Sequence, residues 1–419
     1  MSNEFQSVCV VGLGYIGLPT ASVIAANGVR VFGVDVQKRV VDTINRGEIH
    51  IVEPDLDAVT ARAVQKGMLT AATEPSEADA FVIAVPTPFH DGRAELSYVF
   101  SAGDAIAPKL RKGNLVVLES TSPPGTTERL IERLALLRPD LRFPTDANAT
   151  EMDIHVAYCP ERVLPGKVLT ELVENDRVIG GITSTCSEHA VRLYQIFCKG
   201  ELLITNSRTA ELCKLTENSF RDVNIAFANE LSAVCDELGI NVWELIKLAN
   251  HHPRVKILQP GPGVGGHCIA VDPWFIVEAA PNSARLIRTA REVNDGKPHL
   301  VVDKVKMAIG GHKGGRPKLA LLGLAFKPDV DDLRESPALH IAEMLADLDN
   351  ATITVSEPHI DELPASLTKY ANVTLSRDEI SAIAEADIVV MLVNHRQYYN
   401  VDRALLADKV VVDTRGIWA

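Results

Sequence analysis

Two α/β domains, each a doubly wound sheet of parallel strands, joined by one long central helix: three features of the chain predict this architecture. Short apolar runs of buried-strand length alternate with helix-compatible stretches, the pattern of parallel sheets covered on both faces. Two segments near opposite ends read alike, Glu-Ala-Asp-Ala-Phe-Val-Ile-Ala-Val-Pro at 77–86 answering Glu-Ala-Asp-Ile-Val-Val-Met-Leu-Val-Asn at 385–394. Between them, Ser207 through Leu238 contains neither Gly nor Pro and carries apolar residues at helical spacing.

Taken in order, a strand at Val8–Val11 leads into the glycine turn Gly12–Gly17, a helix, and a strand at Val29–Val36 carrying Asp35 near its end. Ala80–Val85 and Leu115–Leu118 continue the first sheet. Thr205–Thr209 offers N-cap side chains for the long helix, and Gly239 a C-cap. Further helices are expected at Val242–Ala249 and Ala284–Asn294, whereas Pro273 is expected to stop any helix after the glycine-rich segment before it. Gly310-Gly-His-Lys-Gly-Gly-Arg-Pro317 reads as a flexible basic linker. Leu319–Leu322, a turn at Gly323, Ile353–Val355, Ile388–Val393 and Val410–Val412 make the second sheet. The expected domains are 1–204, 205–310 and 311–419, with the central helix a natural dimer interface.

Composition excludes several functions. At 419 residues, 46% of them apolar and 23% charged, the chain is long enough for two or three ordinary globular cores. A net charge of −13 argues against a nucleic-acid surface but leaves room for local Lys and Arg to hold a phosphorylated small molecule. No apolar run is long enough to span a bilayer, and Met1–Ser7 lacks the basic start of a signal peptide. Seven cysteines, an odd number without paired or metal-ligand spacing, fit a reducing compartment. A cytoplasmic protein with no metal and no membrane partner is expected.

Gly12-Leu13-Gly14-Tyr15-Ile16-Gly17 matches GxGxxG directly after an apolar strand and before a helix. Such glycines permit a tight turn and bring a pyrophosphate onto the helix N-terminus. Asp35 follows about 20 residues on, where an acid can bind the adenosine ribose hydroxyls; it favours NAD over NADP by repelling a 2′-phosphate, although Lys38 and Arg39 lie nearby. This is the signature of a Rossmann-like domain. Pro86-Thr87-Pro88 and Glu119–Thr126 follow later strands and are placed to touch the cofactor, or are ordinary β-to-α turns.

Lys214, Asn218 and Arg221 stand at i, i+4 and i+7 on the long helix and share one face, a spacing that a solvated polar face also has. Tyr158-Cys-Pro-Glu-Arg-Val-Leu-Pro165 holds Glu161 and Arg162 between prolines, and His251-His-Pro-Arg254 adds further donors. Three arginines, Arg162, Arg221 and Arg254, suit a diphosphate. Gly261-Pro-Gly-Val-Gly-Gly-His-Cys-Ile-Ala-Val-Asp272 places Cys268 in a loop of four glycines, either a reactive thiol or a surface turn with an incidental cysteine.

Over essentially its whole length the chain resembles the UDP-glucose/GDP-mannose dehydrogenase family. The resemblance rests on 12–17, Glu-Ser-Thr-Ser-Pro at 119–123, Tyr-Cys-Pro-Glu-Arg-Val-Leu-Pro-Gly at 158–166 and Glu-Leu-Cys-Lys-Leu-Thr-Glu-Asn-Ser-Phe-Arg-Asp at 211–222. The cysteine loop and Gly-Leu-Ala-Phe-Lys-Pro-Asp-Val-Asp-Asp-Leu-Arg-Glu-Ser-Pro at 323–337 complete it. It implies an NAD-dependent four-electron oxidation of a sugar-nucleotide C6 alcohol to a carboxylate. Cys268 would capture the intermediate aldehyde, Lys214 would exchange protons with the reacting oxygen, Asn218 and Asp272 would position it, and Glu161 would activate the hydrolytic water. By the same resemblance Gly12, Gly14, Tyr15, Ile16, Gly17, Asp35, Thr87, Thr126 and Arg334 bind NAD. Arg162, Val163, Lys214, Asn218, Arg221, His252, Arg254, Gly265, Phe326 and Lys327 bind the UDP-sugar.

The C-terminal domain carries Gly-Leu-Ala-Phe-Lys in place of a full GxGxxG, which suits a UDP site better than a second dinucleotide site. Where UDP-glucose enzymes of the family commonly carry Phe and Ser in the cysteine loop, this chain has Val264 and His267. That form is similar to the N-acetylated hexosamine enzymes and weakens a glucose assignment without choosing between epimers at C2. The resemblance as a whole implies a UDP-N-acetylhexosamine substrate, manno before gluco, with UDP-glucose or a non-catalytic nucleotide-binding subunit as alternatives. The implied product serves a bacterial surface polysaccharide of the enterobacterial common antigen type, and the implied assembly is a homodimer.

Overall fold

The computed structural model describes residues 4–90, 92–164, 166–266 and 268–418; Pro165 and His267, singled out above, lie outside them. Two compact units divide the chain, Met1–Glu217 with Glu278–Ala280, and Asn218–Val277 with Pro281–Ala419. The division falls within the helix Ser207–Leu238, whose bounds are those the sequence predicts. Asn206 accepts from Thr209 N through its side chain at 2.9 Å and so caps the start.

The first unit is built on an eight-stranded sheet: β1 Ser7–Val11, β2 Arg30–Val34, β3 Leu69–Ala72, β4 Ala80–Ile83, β7 Leu115–Leu118, β8 His155–Tyr158, β9 Arg177–Gly181 and β10 Leu202–Asn206, with a small hairpin, β5 Phe89–His90 and β6 Arg93–Ala94, beside it. The order is β10-β9-β8-β7-β4-β1-β2-β3. Alternate residues of β1 feed opposite cores: Val8 and Val10 pack with Val31, Leu56 and Leu69 on one face, Cys9 and Val11 with Phe81, Val99 and Leu130 on the other. A strand buried on both faces has to be apolar throughout, which is why β1, β4 and β7 read as continuous runs.

Parallel pairing, expected throughout, fails at one junction. β8 pairs antiparallel with β9, and β10 then runs parallel to β9. The connection from β8 to β9 holds only the seven-residue helix Val168–Glu174. That is too short to carry the chain back along the sheet as a parallel crossover needs, so the chain re-enters from the end at which β8 left it. The buried Glu53 carboxylate accepts from Gly166 N at 2.9 Å and Val168 N at 2.7 Å and pins the start of that helix.

The second unit contains a five-stranded, all-parallel sheet of order β13-β12-β11-β14-β15: β11 Lys318–Leu322, β12 Thr352–Ser356, β13 Val373–Ser376, β14 Ile388–Met391 and β15 Val410–Asp413. Leu319 and Leu321 face one core, Ala320 and Leu322 the other, so this sheet too is covered on both sides. Two helix expectations need correction. Helix Arg285–Gly311 runs past the expected end at Asn294, through Pro298 and into the supposed linker, because its inner face stays apolar through Val301, Val302 and Val305. Pro273 stops nothing: helix Asp272–Ala279 begins one residue before it, and a first-turn proline lacks only an N–H that would have had no partner in the helix. No helix among the described residues is long and apolar enough to cross a membrane.

Candidate active site

In the first unit the turn after β1 is shaped for a dinucleotide. Gly12 has φ +92° and hydrogen-bonds Val34 O at 2.8 Å; a Cβ there would collide with the backbone of Ala84. Helix Gly17–Ala26 starts at Ile16 with no side chain capping it and no acid in its first turn; Leu18 N bonds back to Gly14 O at 3.1 Å, and the space beside Gly14 is open. An uncapped, uncluttered helix N-terminus fits a pyrophosphate. Asp35 is half-buried, and its carboxylate accepts from Leu13 N at 3.2 Å and Gln37 N at 2.9 Å, which holds it at the end of β2 beside that turn. Tyr15 is exposed and Thr87 half-buried.

Thr126 is buried, its hydroxyl donating to Pro123 O at 2.7 Å. It opens helix Thr126–Leu137, but the N-terminus of that helix is already filled. Glu211, fully buried, accepts from Gly125 N at 2.6 Å, Thr127 N at 2.8 Å and the Thr127 hydroxyl at 2.7 Å. Burial pushes the Glu211 carboxyl up to about 7 against those three bonds.

Glu161 is not isolated. Arg177 on β9 donates to its carboxylate at 2.7 Å, both side chains being nearly buried, and Arg162 N donates to the other oxygen at 2.6 Å. The Arg177 guanidinium lies 4.8 Å from the Tyr194 ring centre and 5.4 Å from that of Phe197. Tyr194 in turn donates to Glu119 at 2.6 Å. Glu119, in the Glu-Ser-Thr-Ser-Pro turn, is buried with its second oxygen unpaired, and burial pushes it up to about 7 although Arg177 pulls the other way. Arg162 itself pairs with Glu217 of the long helix at 2.8 Å. Val163 and Lys214 are half-buried.

In the second unit Asn218 Nδ2 donates to the buried Asp272 at 2.5 Å. Asp272 N and Val271 N both turn back to Cys268 O, at 2.8 and 3.1 Å, so one helical turn separates the exposed thiol of Cys268 from the carboxylate. The glycines are required by what lies behind the loop. A Cβ on Gly265 would overlap Glu335 O and Pro337, and one on Gly266, where φ is +85°, would press on the Phe326 ring at 3.2 Å. The cysteine loop and the Phe326–Pro337 segment are therefore packed together, as the sequence could not show. Lys327 stands 5.5 Å over the Phe326 ring, while Arg334 is bound bidentately to Asp332 at 2.9 and 2.8 Å. Arg221, His252 and Arg254 are exposed, with His252 Nδ1 accepting from Arg254 N at 3.3 Å.

The turn after β11 repeats the turn after β1 with one change. Gly323 has φ +90° and bonds Ser356 O at 2.8 Å, as Gly12 does Val34 O. Glu357, which follows β12 as Asp35 follows β2, accepts from Leu324 N at 2.7 Å, Ala325 N at 3.1 Å and His395 Nε2 at 3.1 Å. Because Asp329 N donates to His395 Nδ1 at 2.9 Å, the ring proton sits on Nε2 and both nitrogens are spoken for. Fully buried and locked, Glu357 offers no oxygen to a ribose; the second sheet keeps the dinucleotide turn without its acid. Nor does His395 keep a lone pair for a cation, although Asp329, His359 and His395 lie close enough to suggest one.

Sequence reasoning missed Arg177, Glu211 and Glu357. Glu211 stood inside a quoted motif, but nothing local tells which helix end a glutamate fills, and Arg177 is an arginine within a strand.

Family models match the chain in three stretches: the NAD binding domain of the UDP-glucose/GDP-mannose dehydrogenase family at residues 6–198, its central domain at 208–296 and its UDP binding domain at 320–419. An NDP-N-acetyl-D-galactosaminuronic acid dehydrogenase of Ralstonia nicotianae is 60% identical, over 99% of this chain and 97% of its own. A UDP-N-acetyl-D-mannosamine dehydrogenase of Yersinia pestis is 58% identical, over 99% of this chain and 100% of its own. A solved UDP-D-ManNAc dehydrogenase structure from Pyrococcus horikoshii superposes with a TM-score of 0.86 at 36% identity, covering 99% of this chain and 96% of that one. The turn that fits a dinucleotide, the exposed thiol of the glycine loop and these matches agree: the chain is an NAD-dependent oxidoreductase and belongs to the UDP-glucose/GDP-mannose dehydrogenase family.

Proposed function

We propose that the protein oxidises the C6 alcohol of UDP-N-acetyl-D-mannosamine to the carboxylate, using Cys268 as a covalent catalyst. The observation that carries this reading is the exposed Cys268 thiol one helical turn from an Asp272 carboxylate held by Asn218 at 2.5 Å. NAD, when bound, accepts the electrons of each of the two oxidations, two molecules being consumed per sugar. Lys214 takes the alcohol proton in the first. The Cys268 thiolate then adds to the aldehyde carbon while Lys214 returns a proton to the oxygen, giving a thiohemiacetal. In the second oxidation Lys214 takes that hydroxyl proton back as the hydride leaves, and a thioester remains. Water activated by Glu161 adds to that carbonyl, the C–S bond breaks, and the thiolate and the acid separate. Arg177 holds the Glu161 carboxylate in place by donating to it at 2.7 Å. Asn218 and Asp272 orient the reacting oxygen, with Lys214 and Asp272 able to exchange proton-handling roles between steps.

By the same reading, Gly12, Gly14, Tyr15, Ile16, Gly17, Asp35, Thr87, Thr126 and Arg334 serve NAD. Arg162, Val163, Arg221, His252, Arg254, Gly265, Phe326 and Lys327 serve the UDP-sugar. The working division remains 1–204, 205–310 and 311–419, supported by where the three family models fall. The protein acts in the cytoplasm, where its seven cysteines stay reduced, and its product supplies a surface polysaccharide. It works as a homodimer through the long helix, on which Phe220, Phe227, Val234 and Leu238 are exposed at heptad-like spacing.

A second reading, oxidation of the galacto epimer, is favoured by the 60% identical Ralstonia relative. A substrate panel decides: kcat/KM for the manno epimer should exceed those for the galacto and gluco epimers and UDP-glucose by at least about tenfold. Two NADH should form per sugar, and Cys268→Ala should make no acid. One NADH per sugar, or undiminished acid from the variant, sinks the covalent scheme.

A further inference from the structure

A buried polar chain in the second unit does nothing in the scheme above. Asp222, Asn229 and Ser232 on the long helix meet Arg291, Asn294 and Lys297 on helix Arg285–Gly311, all six buried. Arg291 donates to Asp222 at 2.6 Å, and Asn294 Nδ2 donates to the same Asp222 oxygen at 2.8 Å. That fixes the Asn294 amide, whose oxygen accepts from Asn229 Nδ2 at 2.8 Å. Asn229 is thereby left with its oxygen pointing one way, and that oxygen accepts from Gly261 N at 2.9 Å. The Asn229 carbonyl is held too, accepting from Ser232 Oγ at 2.8 Å and from Lys297 Nζ at 3.4 Å.

Gly261 is the first residue of the cysteine loop and Asp272 the last. Asn218, which binds Asp272, and Asn229, which binds Gly261, stand eleven residues apart on one helix, about three turns, and so share a face. Each end of the loop is thus tied to the same helical stripe by an asparagine. Beneath the loop, the ring of Pro298 lies so close to Gly263 that a Cβ there would come within 3.2 Å of it. A chain of oriented amides is an expensive thing to bury unless its amides are satisfied. Here those of Asn229 and Asn294 are, although Asp222 Oδ2 and Arg291 Nε keep no partner, and satisfied amides select one geometry.

We infer that Asn229 is a positioning residue for Cys268: it fixes the leading end of the cysteine loop as Asn218 fixes the trailing end, with Asp222 and Asn294 setting its amide orientation. The inference rests on the reading of Cys268 as the nucleophile. Asn229→Leu keeps the shape, removes the Gly261 bond and leaves NAD contacts untouched. The full-length variant should lose about tenfold in kcat for acid formation while its KM for NAD stays within twofold of the unsubstituted protein. A kcat within twofold of normal, or a fall in kcat matched by an equal rise in the KM for NAD, overturns the inference. Should that variant not fold, Asn294→Ala, which frees the Asn229 amide without touching Gly261, should cost threefold or more in kcat, and an unchanged kcat there overturns it as well. Cys268→Ala keeps the two ideas separable. If it still makes acid the nucleophile reading fails, whereas an inactive Cys268→Ala beside a normal Asn229→Leu defeats only the role given to Asn229.

Discussion

The hydrogen bond from Asn218 to Asp272 is 2.5 Å long, between an amide on the long helix and a carboxylate that opens helix Asp272–Ala279. A charged acceptor makes such a bond strong, and here it fixes the orientation of the carboxylate. Asp272→Asn keeps the shape but places two amides face to face and removes the charge. Its kcat is expected to fall roughly 100-fold, the order that loss of a positioned acid or base commonly costs, with NAD affinity unchanged. Steady-state kinetics at saturating NAD test this; a loss under threefold would show that the carboxylate does no chemical work. Cys268 and Asp272 were legible because four glycines in so short a span mark a backbone that something must approach closely, here Pro337 and the Phe326 ring. Arg177 was not. Its meaning comes from Glu161 and Tyr194, sixteen and seventeen residues away in opposite directions, and only the folded sheet brings the three together.

At the scale of elements, uninterrupted patterns read well and interrupted ones do not. Ser207–Leu238 and Val242–Ala249 match the sequence reading because no Gly or Pro interrupts either and Asn241 caps the second through Trp243 N and Glu244 N. β3, β10 and β13 lie at sheet edges, where one face or both is wet, so none shows the continuous apolar run that betrays a central strand. The long helix itself makes a sharp prediction. Phe220 and Phe227 are 71% and 55% exposed, too much apolar surface along one stripe for a helix that faces only water. Burying a glutamate there without a partner costs several kcal/mol, so Phe227→Glu should weaken self-association by about 100-fold or more. Light scattering at micromolar protein reads this directly: the variant should run as a monomer where the parent is a dimer. A parent that is monomeric, or a variant of unchanged size, removes the long helix from the interface.

Across the whole molecule the dinucleotide turn occurs twice, and the contrast between Asp35 and Glu357 explains why the ends of the chain read alike yet do different work. A half-buried acid can serve a ribose, while a sealed one only braces its own turn. Among the buried acids of the first unit, Glu119 and Glu211 give its stability an unusual pH dependence. Burial raises both carboxyls to about 7, from 4.5 for the exposed group. Between those values the folded protein keeps protons that the unfolded chain has released, so each acid makes stability fall as pH rises from about 4.5 to about 7, after which its effect levels off. His155 pushes the other way over part of the range: burial lowers it to about 4, so its contribution grows as pH climbs from 4 towards 6.5. Comparing a variant with its parent removes that opposing effect. Glu119→Gln keeps an oxygen for the Tyr194 hydroxyl and takes away the titration. Its stability relative to the parent, from urea midpoints at pH 5, 6, 7 and 8, should therefore become steadily more favourable up to about pH 7 and then flatten. The total gain should be on the order of 2–3 kcal/mol, since each unit of raised pKa corresponds to about 1.4 kcal/mol and the rise to about 7 already includes the pull of Arg177. A difference that is flat with pH, or that declines, would mean that Glu119 stays charged in the folded protein and that Arg177 serves two anions at once.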